Sequence, residues 1–283
     1  MSTKIFETHE TAWCPGCGNF NLLDCLKTAL EELGKDPYET LMVAGIGQAS
    51  KIPQYLSVNA FCGLHGRALP AAVAAKIANE SLTVIVDTGD GDGYGEGGNH
   101  FIHNIRRNVD ITHFIHDNQV YALTKGQASP TSMEGFVSDV QTSGSHNLPL
   151  NPVLLAIAAG AGFVARAFTG DKPHLVSIMK EAILYKGYSM VDILQPCVSF
   201  NKVNTYAWYA ERVYHLDGRY NPGSKMAALE KAMEFGDKIP IGVLYREPMR
   251  TFHEKNPVLM QGAPLVDRKT DRTIVQKMME EFI

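Results

Sequence analysis

The sequence lacks long apolar runs and any large excess of one charge. No stretch stays apolar long enough to span a bilayer, and the first residues, MSTKIFETHETAW, contain no apolar core of the kind that a signal peptide needs. We therefore expect a cytoplasmic protein. The 26 basic and 30 acidic residues leave a formal charge of −4, so we expect no general electrostatic attraction to nucleic acid or to a membrane surface.

Cysteine is also scarce, with five residues in a chain of 283. An odd number of cysteines without a secretion signal argues against a disulfide framework. Thiol or metal chemistry is the better expectation for some of them. The remaining composition, 45% hydrophobic and 20% charged, is that of an ordinary globular protein with one or two domains.

Helix and strand patterns alternate along most of the chain. Helical spacing of apolar residues and alanine-rich segments predict helices over residues 20–33, 67–79, 99–108, 151–160 and 173–186. Continuous apolar runs predict buried strands over residues 41–47, 82–87, 111–116, 163–168 and 189–194. The alternation predicts an α/β fold whose mostly parallel, doubly wound sheet carries helices on both faces.

The alternation fades after about Phe200, apart from a helical patch at residues 226–235. We therefore expect one domain over residues 1–200. Residues 201–283 are predicted to be a C-terminal extension that packs on this domain or on a partner chain.

A glycine cluster follows one predicted strand directly, and polar residues follow the next. The first segment, DTGDGDGYG at residues 87–95, lets the backbone approach a phosphate closely and adopt positive φ angles, and its embedded Asp90 can hold a Mg²⁺ ion that bridges a diphosphate. The second segment, HDNQVY at residues 116–121, offers a second oxygen ligand and a backbone carbonyl. Two neighbouring strand ends can thus converge on one metal, although a glycine turn with solvated aspartates is the simpler alternative.

These two segments resemble the signature of thiamine-diphosphate enzymes, in which a GDG triplet is followed by an asparagine beyond the next strand. Asp90 and Asn118, 28 positions apart, match it. The resemblance implies that Asp90, the Asn118 side chain and the Val120 carbonyl hold Mg²⁺, and that this fold binds thiamine diphosphate.

A longer match narrows the family. GDGDGYGEGGNHFIHNIRRN, followed by HDNQVYALTKGQASPTS, resembles the beta subunit of 2-oxoacid:ferredoxin oxidoreductases, and the likeness extends over residues 13–197. It implies oxidative decarboxylation of a 2-oxoacid to an acyl-CoA, in either direction, with coenzyme A and ferredoxin as further reactants. It also implies an alpha subunit that carries the aminopyrimidine-binding domain, in a hetero-oligomer such as two copies of each chain. The predicted cofactor contacts are Ile46, Gly47, His65, Gly89, Asp90, Gly91, Asp92, Asn118, Val120, Tyr121, Ala122, Leu123 and Thr124.

The cysteines belong to the same resemblance. WCPGCG at residues 13–18 is a Cys-x-x-Cys segment that alone indicates zinc, redox chemistry or an iron–sulfur cluster. In the family this segment, with a later QPC, ligates a [4Fe–4S] cluster, and Cys14, Cys17 and Cys197 match. The position of the fourth ligand differs from the family pattern, because relatives with a GIGCS segment have cysteine where this sequence has Gln48. Cys62, a residue of the partner chain, a water-ligated iron or an unusual cluster are the alternatives.

Three further residues are candidate catalytic groups. His65, in an HGRA segment, matches a family position near the cofactor. Lys51 and Lys125 match lysines that face substrate carboxylates in 2-oxoglutarate-using or broad-specificity relatives, which favours such substrates over pyruvate. Two other functions stay open: a non-redox thiamine-diphosphate decarboxylase or ligase subunit, and a zinc-stabilised scaffold without activity. The histidines at positions 100, 103, 113 and 116 are expected to pack near the cofactor, since no further ligand completes a zinc shell.

Overall fold

The computed structural model describes residues 6–269 and 271–282, so the first five residues of the segment inspected for a signal peptide lie outside it. The helices are α1 (Gly18–Glu32), α2 (Ile52–Tyr55), α3 (Ala68–Ala78), α4 (Gly98–Arg107), α5 (Pro152–Ala158), α6 (Lys172–Leu184), α7 (Tyr206–Ala210), α8 (Lys225–Met233), α9 (Pro257–Met260) and α10 (Arg272–Glu280). The strands are β1 (Thr40–Ala44), β2 (Asn59–Cys62), β3 (Thr83–Gly89), β4 (Ile111–Asp117), β5 (Val120–Tyr121), β6 (Gln127–Ala128), β7 (Phe163–Phe168), β8 (Tyr188–Leu194), β9 (Val213–His215) and β10 (Ile239–Arg246). Short 3₁₀ turns at Pro37–Glu39, Ala49–Lys51 and Leu265–Asp267 and a π-helical turn at Gly91–Glu96 complete the elements.

Eight strands form one sheet in the order β2-β1-β3-β4-β8-β7-β10-β9. All neighbouring pairs are parallel except β10 and β7, which are antiparallel. The predicted fold class, a mostly parallel α/β sheet, is therefore confirmed. The chain runs from β1 outward to β2 and then back past β1 to β3, so the strand order reverses beside β1 and β3. Open α/β folds bind ligands at such a point, beyond the carboxyl ends of the strands.

Helices cover both faces of the sheet because successive strand residues point to opposite sides. Met42, Ile85 and Phe114 face a core that α1 and α6 cover. Their neighbours in the chain, Val43, Val86 and Ile115, face a second core that α3, α4, α5 and α8 cover. Each fully buried side chain of this size contributes roughly 1.5–3 kcal/mol. Two apolar faces on one sheet explain why the central strands read as continuous apolar runs.

The predicted helices and strands are all present, with ends shifted by a few residues. The helix α1 ends as expected before Gly34, whose φ of +61° is left-handed. Residues after Phe200 contribute β9 and β10 to the main sheet and α8 to one of its faces. Within the described ranges, no helix is both long and apolar enough to cross a membrane. The cytoplasmic location stays a prediction.

Candidate active site

A cleft lies beyond the carboxyl ends of β1, β3 and β4, and we call it the strand-end cleft. Its lining comprises Ile46, Gly47, Gln48, Ala49, His65, Gly89, Asp90, Gly91, Asp92, Asn118, Val120, Tyr121, Ala122, Leu123 and Thr124. All the predicted cofactor contacts are in this set, together with Gln48 and Ala49. The fold therefore brings four separate segments of the sequence to one cleft.

The glycine cluster reaches this cleft in an unexpected conformation. Asp90 begins the π-helical turn Gly91–Glu96, and no glycine between residues 89 and 98 has a positive φ. The expectation of positive φ angles here was therefore wrong. Close packing explains the glycines instead, because a Cβ on Gly91 would lie 2.2 Å from the Tyr121 ring and one on Gly95 would lie 2.4 Å from its hydroxyl.

Asp90 is 1% exposed and is held by two hydroxyl groups. Its Oδ2 accepts a hydrogen bond from Ser129 Oγ and lies 2.7 Å from Thr131 Oγ1. Burial raises the pKa of Asp90 to about 6, against the lowering effect of these hydrogen bonds. The carboxylate is thus fixed in place yet remains ionised at neutral pH, as a metal ligand requires.

A second buried carboxyl group, Asp117, shares the Thr131 hydroxyl. Thr131 Oγ1 lies 2.7 Å from Asp117 Oδ1 as well. Burial, with the nearby charges of Asp192 and Asp90, raises the pKa of Asp117 well above its ordinary value. Because a hydroxyl carries one hydrogen, Thr131 cannot donate to both groups. A neutral Asp117 can donate to Thr131, which then donates to Asp90, and this chain favours the charged form of Asp90.

Asn118 and Val120 lie in the loop that follows β4. The backbone N–H of Val120 donates to Asn118 Oδ1 at 3.1 Å, while Asn118 Nδ2 donates to Gln195 Oε1 at 3.2 Å. Asn201 Nδ2 donates to the Asn118 carbonyl at 3.1 Å. Gln119, between Asn118 and Val120, has a left-handed φ of +59°. Side chains from beyond β8 therefore hold this loop. The carboxylate, amide and carbonyl oxygens that line the cleft are the hard ligands that suit Mg²⁺.

Asp92 joins the glycine turn to two neighbouring loops. Its carboxylate accepts from the Gly66 N–H at 2.6 Å and from Ser50 Oγ at 3.1 Å. Burial raises its pKa, and these donors act in the opposite direction. His65 Nε2 lies 3.7 Å from Asp92 Oδ1 and 3.5 Å from Glu96 Oε2. Asp92 thereby fixes the loop after β1 and the His65 loop against the cleft.

The two predicted catalytic lysines do not line the strand-end cleft. Lys51 is partly buried in the turn Ala49–Lys51, while Lys125 is exposed with a φ of +84°. Neither side chain forms a hydrogen bond or ion pair within the described part of the chain. Of the four histidines expected to pack, His113 and His116 are buried, and His113 hydrogen-bonds to Thr88 and Tyr188. His100 is partly buried, with its Nε2 2.8 Å from Arg67 Nη1, whereas His103 is exposed on α4, so the expectation was wrong for His103.

A second cavity adjoins the first, and we call it the cysteine cavity. Its lining comprises Ala12, Trp13, Cys14, Cys17, Asn19, Gln48, Asn118, Ala122, Gln195, Cys197, Val198, Ser199 and Phe200. Gln48, Asn118 and Ala122 line both cavities, so the two sites share a wall. Cys62 does not line the cysteine cavity; it is exposed on β2.

The three cysteines of this cavity differ in burial. Cys14 is exposed, Cys17 is intermediate and Cys197 is buried. Burial raises the pKa of Cys17 to about 11, and the neighbouring Cys197 and Cys14 add to the rise. Among residues 6–269 and 271–282 no three His, Cys, Asp or Glu side chains are close enough to hold a single ion.

Sequence reasoning did not assign a role to Ser129, Thr131, Gln195 or Asn201. Ser129 and Thr131 belong to the ASPTS segment that followed the second motif, and their hydroxyl groups were the available signal. Gln195 stands next to the QPC proline, but its contact with Asn118 depends on the pairing of β8 with β4. Such contacts become visible only once the strand order is known.

Comparison with known proteins gives consistent matches. The family described as thiamine pyrophosphate enzyme, C-terminal TPP binding domain, matches residues 40–193, and the family of the C-terminal part of the pyruvate ferredoxin oxidoreductase beta chain matches residues 197–261. The chain is 44% identical over 273 residues to the 2-oxoacid:ferredoxin oxidoreductase subunit beta of Saccharolobus solfataricus, covering 90% of each chain. It is 43% identical over 192 residues to the 2-oxoglutarate oxidoreductase subunit KorB of Mycobacterium tuberculosis, covering 68% of this chain and 52% of that one.

A solved structure is similar throughout. The 2-oxoglutarate:ferredoxin oxidoreductase from Magnetococcus marinus, with 2-oxoglutarate, coenzyme A and succinyl-CoA bound, superposes with a TM-score of 0.87 and 36% sequence identity. The match covers 90% of this chain and 88% of that chain.

Proposed function

The chain belongs to the beta subunits of 2-oxoacid:ferredoxin oxidoreductases, and from this premise we propose that it supplies the diphosphate, magnesium and electron-transfer half of a shared active site. The reaction is the oxidative decarboxylation of a 2-oxoacid with reduction of ferredoxin. One observation supports these residue roles: Asp90, Asn118 and Val120 line the same cleft, at the point where the order of the strands in the sheet reverses.

We propose that Asp90, Asn118 Oδ1 and the Val120 carbonyl bind Mg²⁺ and that the glycine turn receives the diphosphate. The burial of Asp90 and its hydroxyl partners keep one charged oxygen ligand in position before the ion arrives. Gly89 and Gly91 line the cleft, and their backbone is proposed to approach the phosphate oxygens. When bound, thiamine diphosphate supplies the electron sink for decarboxylation.

The cysteine cavity is proposed to hold the iron–sulfur cluster, with Cys14, Cys17 and Cys197 as ligands. Its shared wall with the strand-end cleft supports this role, because electron transfer from the thiamine cofactor requires a short path. Both sites stand on the same loops, so one fold fixes their separation.

An alpha subunit is proposed to close the strand-end cleft and to supply the aminopyrimidine side of the active site. Exposed apolar side chains support this arrangement: Ile46 and Leu123 line the cleft at 41% and 40% exposure, and Leu64, which precedes the lining residue His65, is 76% exposed. Exposed apolar groups around a functional cleft are typical of a surface that another chain covers. Residues 1–200 would form the cofactor domain. Residues 201–283 would extend its sheet, which the pairing of β10 with β7 supports.

We propose 2-oxoglutarate or a broad range of 2-oxoacids as substrates. Lys51 and Lys125 are two cations without an internal partner in the described ranges, and both follow strands that end at the cleft. Substrate carboxylates would give them partners once the alpha chain lies over the cleft. His65, which lines the cleft, is the third proposed catalytic group.

The test is to express the chain with its alpha subunit, purify the complex without oxygen and assay ferredoxin reduction. We expect bound thiamine diphosphate, magnesium, iron and acid-labile sulfide. Reduction should require coenzyme A and should be faster with 2-oxoglutarate than with pyruvate. Carbon dioxide release without ferredoxin reduction would instead identify a non-redox thiamine enzyme, and zinc without sulfide would contradict the cluster.

A further inference from the structure

The residues that line the cysteine cavity include three cysteines and one glutamine whose side-chain oxygen has no hydrogen-bond partner in the described part of the chain. The thiols belong to Cys14, Cys17 and Cys197, and the oxygen is Gln48 Oε1. This oxygen is buried and accepts no hydrogen bond within the described residues. A buried acceptor without a donor is unfavourable, so a group that binds it stabilises the protein.

The backbone fixes Gln48 beside the Cys-x-x-Cys segment. Trp13 Nε1 donates to the Gln48 carbonyl at 2.8 Å, and Trp13 is the residue directly before Cys14. Gln48 also stands directly before the turn Ala49–Lys51, with helical φ and ψ of −71° and −32°. The Gln48 backbone is therefore held next to the Cys-x-x-Cys segment.

The other polar side chains of this cavity already have partners. The oxygen of Asn19 lies 2.7 Å from His116 Nδ1, and the oxygen of Asn118 accepts from Val120. Gln195 accepts from Asn118 through its oxygen and donates through Nε2 to Cys17 Sγ, at 3.6 Å. Ser199 Oγ donates to Cys14 Sγ at 3.0 Å. Gln48 thus differs from the other polar residues of the lining.

We infer, on the basis of the proposed function, that the Gln48 carboxamide oxygen is the fourth protein ligand of the cluster held by Cys14, Cys17 and Cys197. An oxygen ligand binds iron–sulfur iron less firmly than a thiolate, because soft centres prefer sulfur. One iron is then held more weakly than the other three. Oxidation should release it: [4Fe–4S]²⁺ gives [3Fe–4S]⁺, Fe²⁺ and one electron.

The experiment compares four forms of the anaerobically purified complex with its alpha subunit: wild type, Gln48→Cys, Gln48→Leu and Cys62→Ser. Each is treated with one-electron amounts of ferricyanide, which accepts the released electron. The readouts are the electron paramagnetic resonance signal of an oxidised three-iron cluster and the ratio of iron to acid-labile sulfide.

Wild type and Cys62→Ser should give the three-iron signal, and their iron-to-sulfide ratio should fall from about 1 towards about 0.75. Gln48→Cys should keep a ratio of about 1 and give little of the signal. Gln48→Leu, which has a similar size and no oxygen, should already have an iron-to-sulfide ratio of about 0.75 before oxidant is added, since Fe²⁺ can leave [4Fe–4S]²⁺ to give [3Fe–4S]⁰, and ferricyanide should then convert this cluster to the form that gives the three-iron signal.

Two results would overturn the inference while leaving the proposed function intact: equal retention of the fourth iron in wild type and Gln48→Leu, or its loss only in Cys62→Ser. Absence of iron and sulfide from both wild type and Gln48→Cys would instead contradict the proposed cluster itself.

Discussion

The two cavities share a wall at Gln48, Asn118 and Ala122 but are built differently. In the strand-end cleft the acidic groups are nearly inaccessible and hydrogen-bonded, with Asp90 and Asp92 at 1% and 2% exposure. The cysteine cavity begins with an exposed Cys14, and no set of ligands in the described ranges is placed around a single ion.

The chemistry of the ligands explains this difference. A carboxylate accepts strong hydrogen bonds, so Ser129 and Thr131 can hold Asp90 where an ion needs it before the ion binds. A thiol is a weak donor and a weak acceptor, so neighbouring side chains can orient it only slightly. We therefore expect the oxygen site to be preformed and the sulfur site to gain its final geometry as the cluster binds.

The largest expected effect tests whether the two sites can be separated. Asp90→Asn removes the charged oxygen ligand and leaves a side chain of the same shape. Magnesium-dependent binding of thiamine diphosphate to the complex, measured by calorimetry, should weaken by at least about 100-fold. Iron and sulfide content should not change, because the cysteines stand on the other side of the wall.

Asp139→Asn is the matched control, since Asp139 is exposed and lies outside both linings. It removes the same charge and should bind the cofactor normally. If Asp90→Asn lost the cluster together with the cofactor, the two cavities would form one cooperative unit and could not be treated as separate sites.

Features that depend on local sequence could be predicted, whereas features that depend on contacts between distant segments could not. The central strands and the flanking helices follow from local patterns. A strand that is buried on both faces is a continuous apolar run, without the alternation of apolar and polar residues that a half-exposed strand shows. The strand β10 was missed, although residues 239–246 read IPIGVLYR, because Pro240 and Gly242 lower the local strand signal. Its pairing with β7 and β9 stabilises it in the sheet, and local pattern does not show this.

Ligand type and position indicated a metal site at Asp90 and Asn118, since each follows a strand directly, and the family resemblance implied the rest of the lining of the strand-end cleft. The residues that support them were less accessible to prediction. Thr131 lies 14 positions beyond Asp117 and meets it only because the intervening loop folds back. The free Gln48 oxygen is likewise a property of the assembled cavity, although its departure from cysteine was visible in the sequence.

A smaller effect should appear when the protonation of Asp90 in the strand-end cleft is changed. Because the pKa of Asp90 is about 6 without the ion, protons should compete with Mg²⁺ below that pH. Magnesium affinity should fall about tenfold per pH unit below about 6 and level off above it. Thr131→Val removes a donor to the charged carboxylate, which should raise its pKa, shift this profile to higher pH and weaken binding about 10- to 100-fold at pH 7.

Titrations of magnesium affinity between pH 5 and 8 measure both profiles. Thr28→Val is the control, because the Thr28 hydroxyl donates only to the Asp24 carbonyl in α1. Its profile should match that of wild type. A Thr131→Val profile that loses affinity equally at every pH would show that Thr131 shapes the site without controlling the protonation of Asp90.

The smallest expected effect lies in the cysteine cavity, where one hydrogen bond reaches a proposed ligand. Ser199 Oγ donates to Cys14 Sγ at 3.0 Å, and such a bond favours the reduced cluster because reduction adds negative charge to the sulfur. Ser199→Ala should therefore lower the reduction potential by roughly 20–60 mV, the equivalent of about 0.5–1.5 kcal/mol. Redox titration of the complex measures this shift, with Ser81→Ala as the control, since the exposed Ser81 hydroxyl donates to Asn79 Oδ1 in a turn outside both linings. An unchanged potential in Ser199→Ala would mean that the Cys14 sulfur moves away from Ser199 when the cluster binds, and the sulfur site would then be even less preformed than the oxygen site beside it.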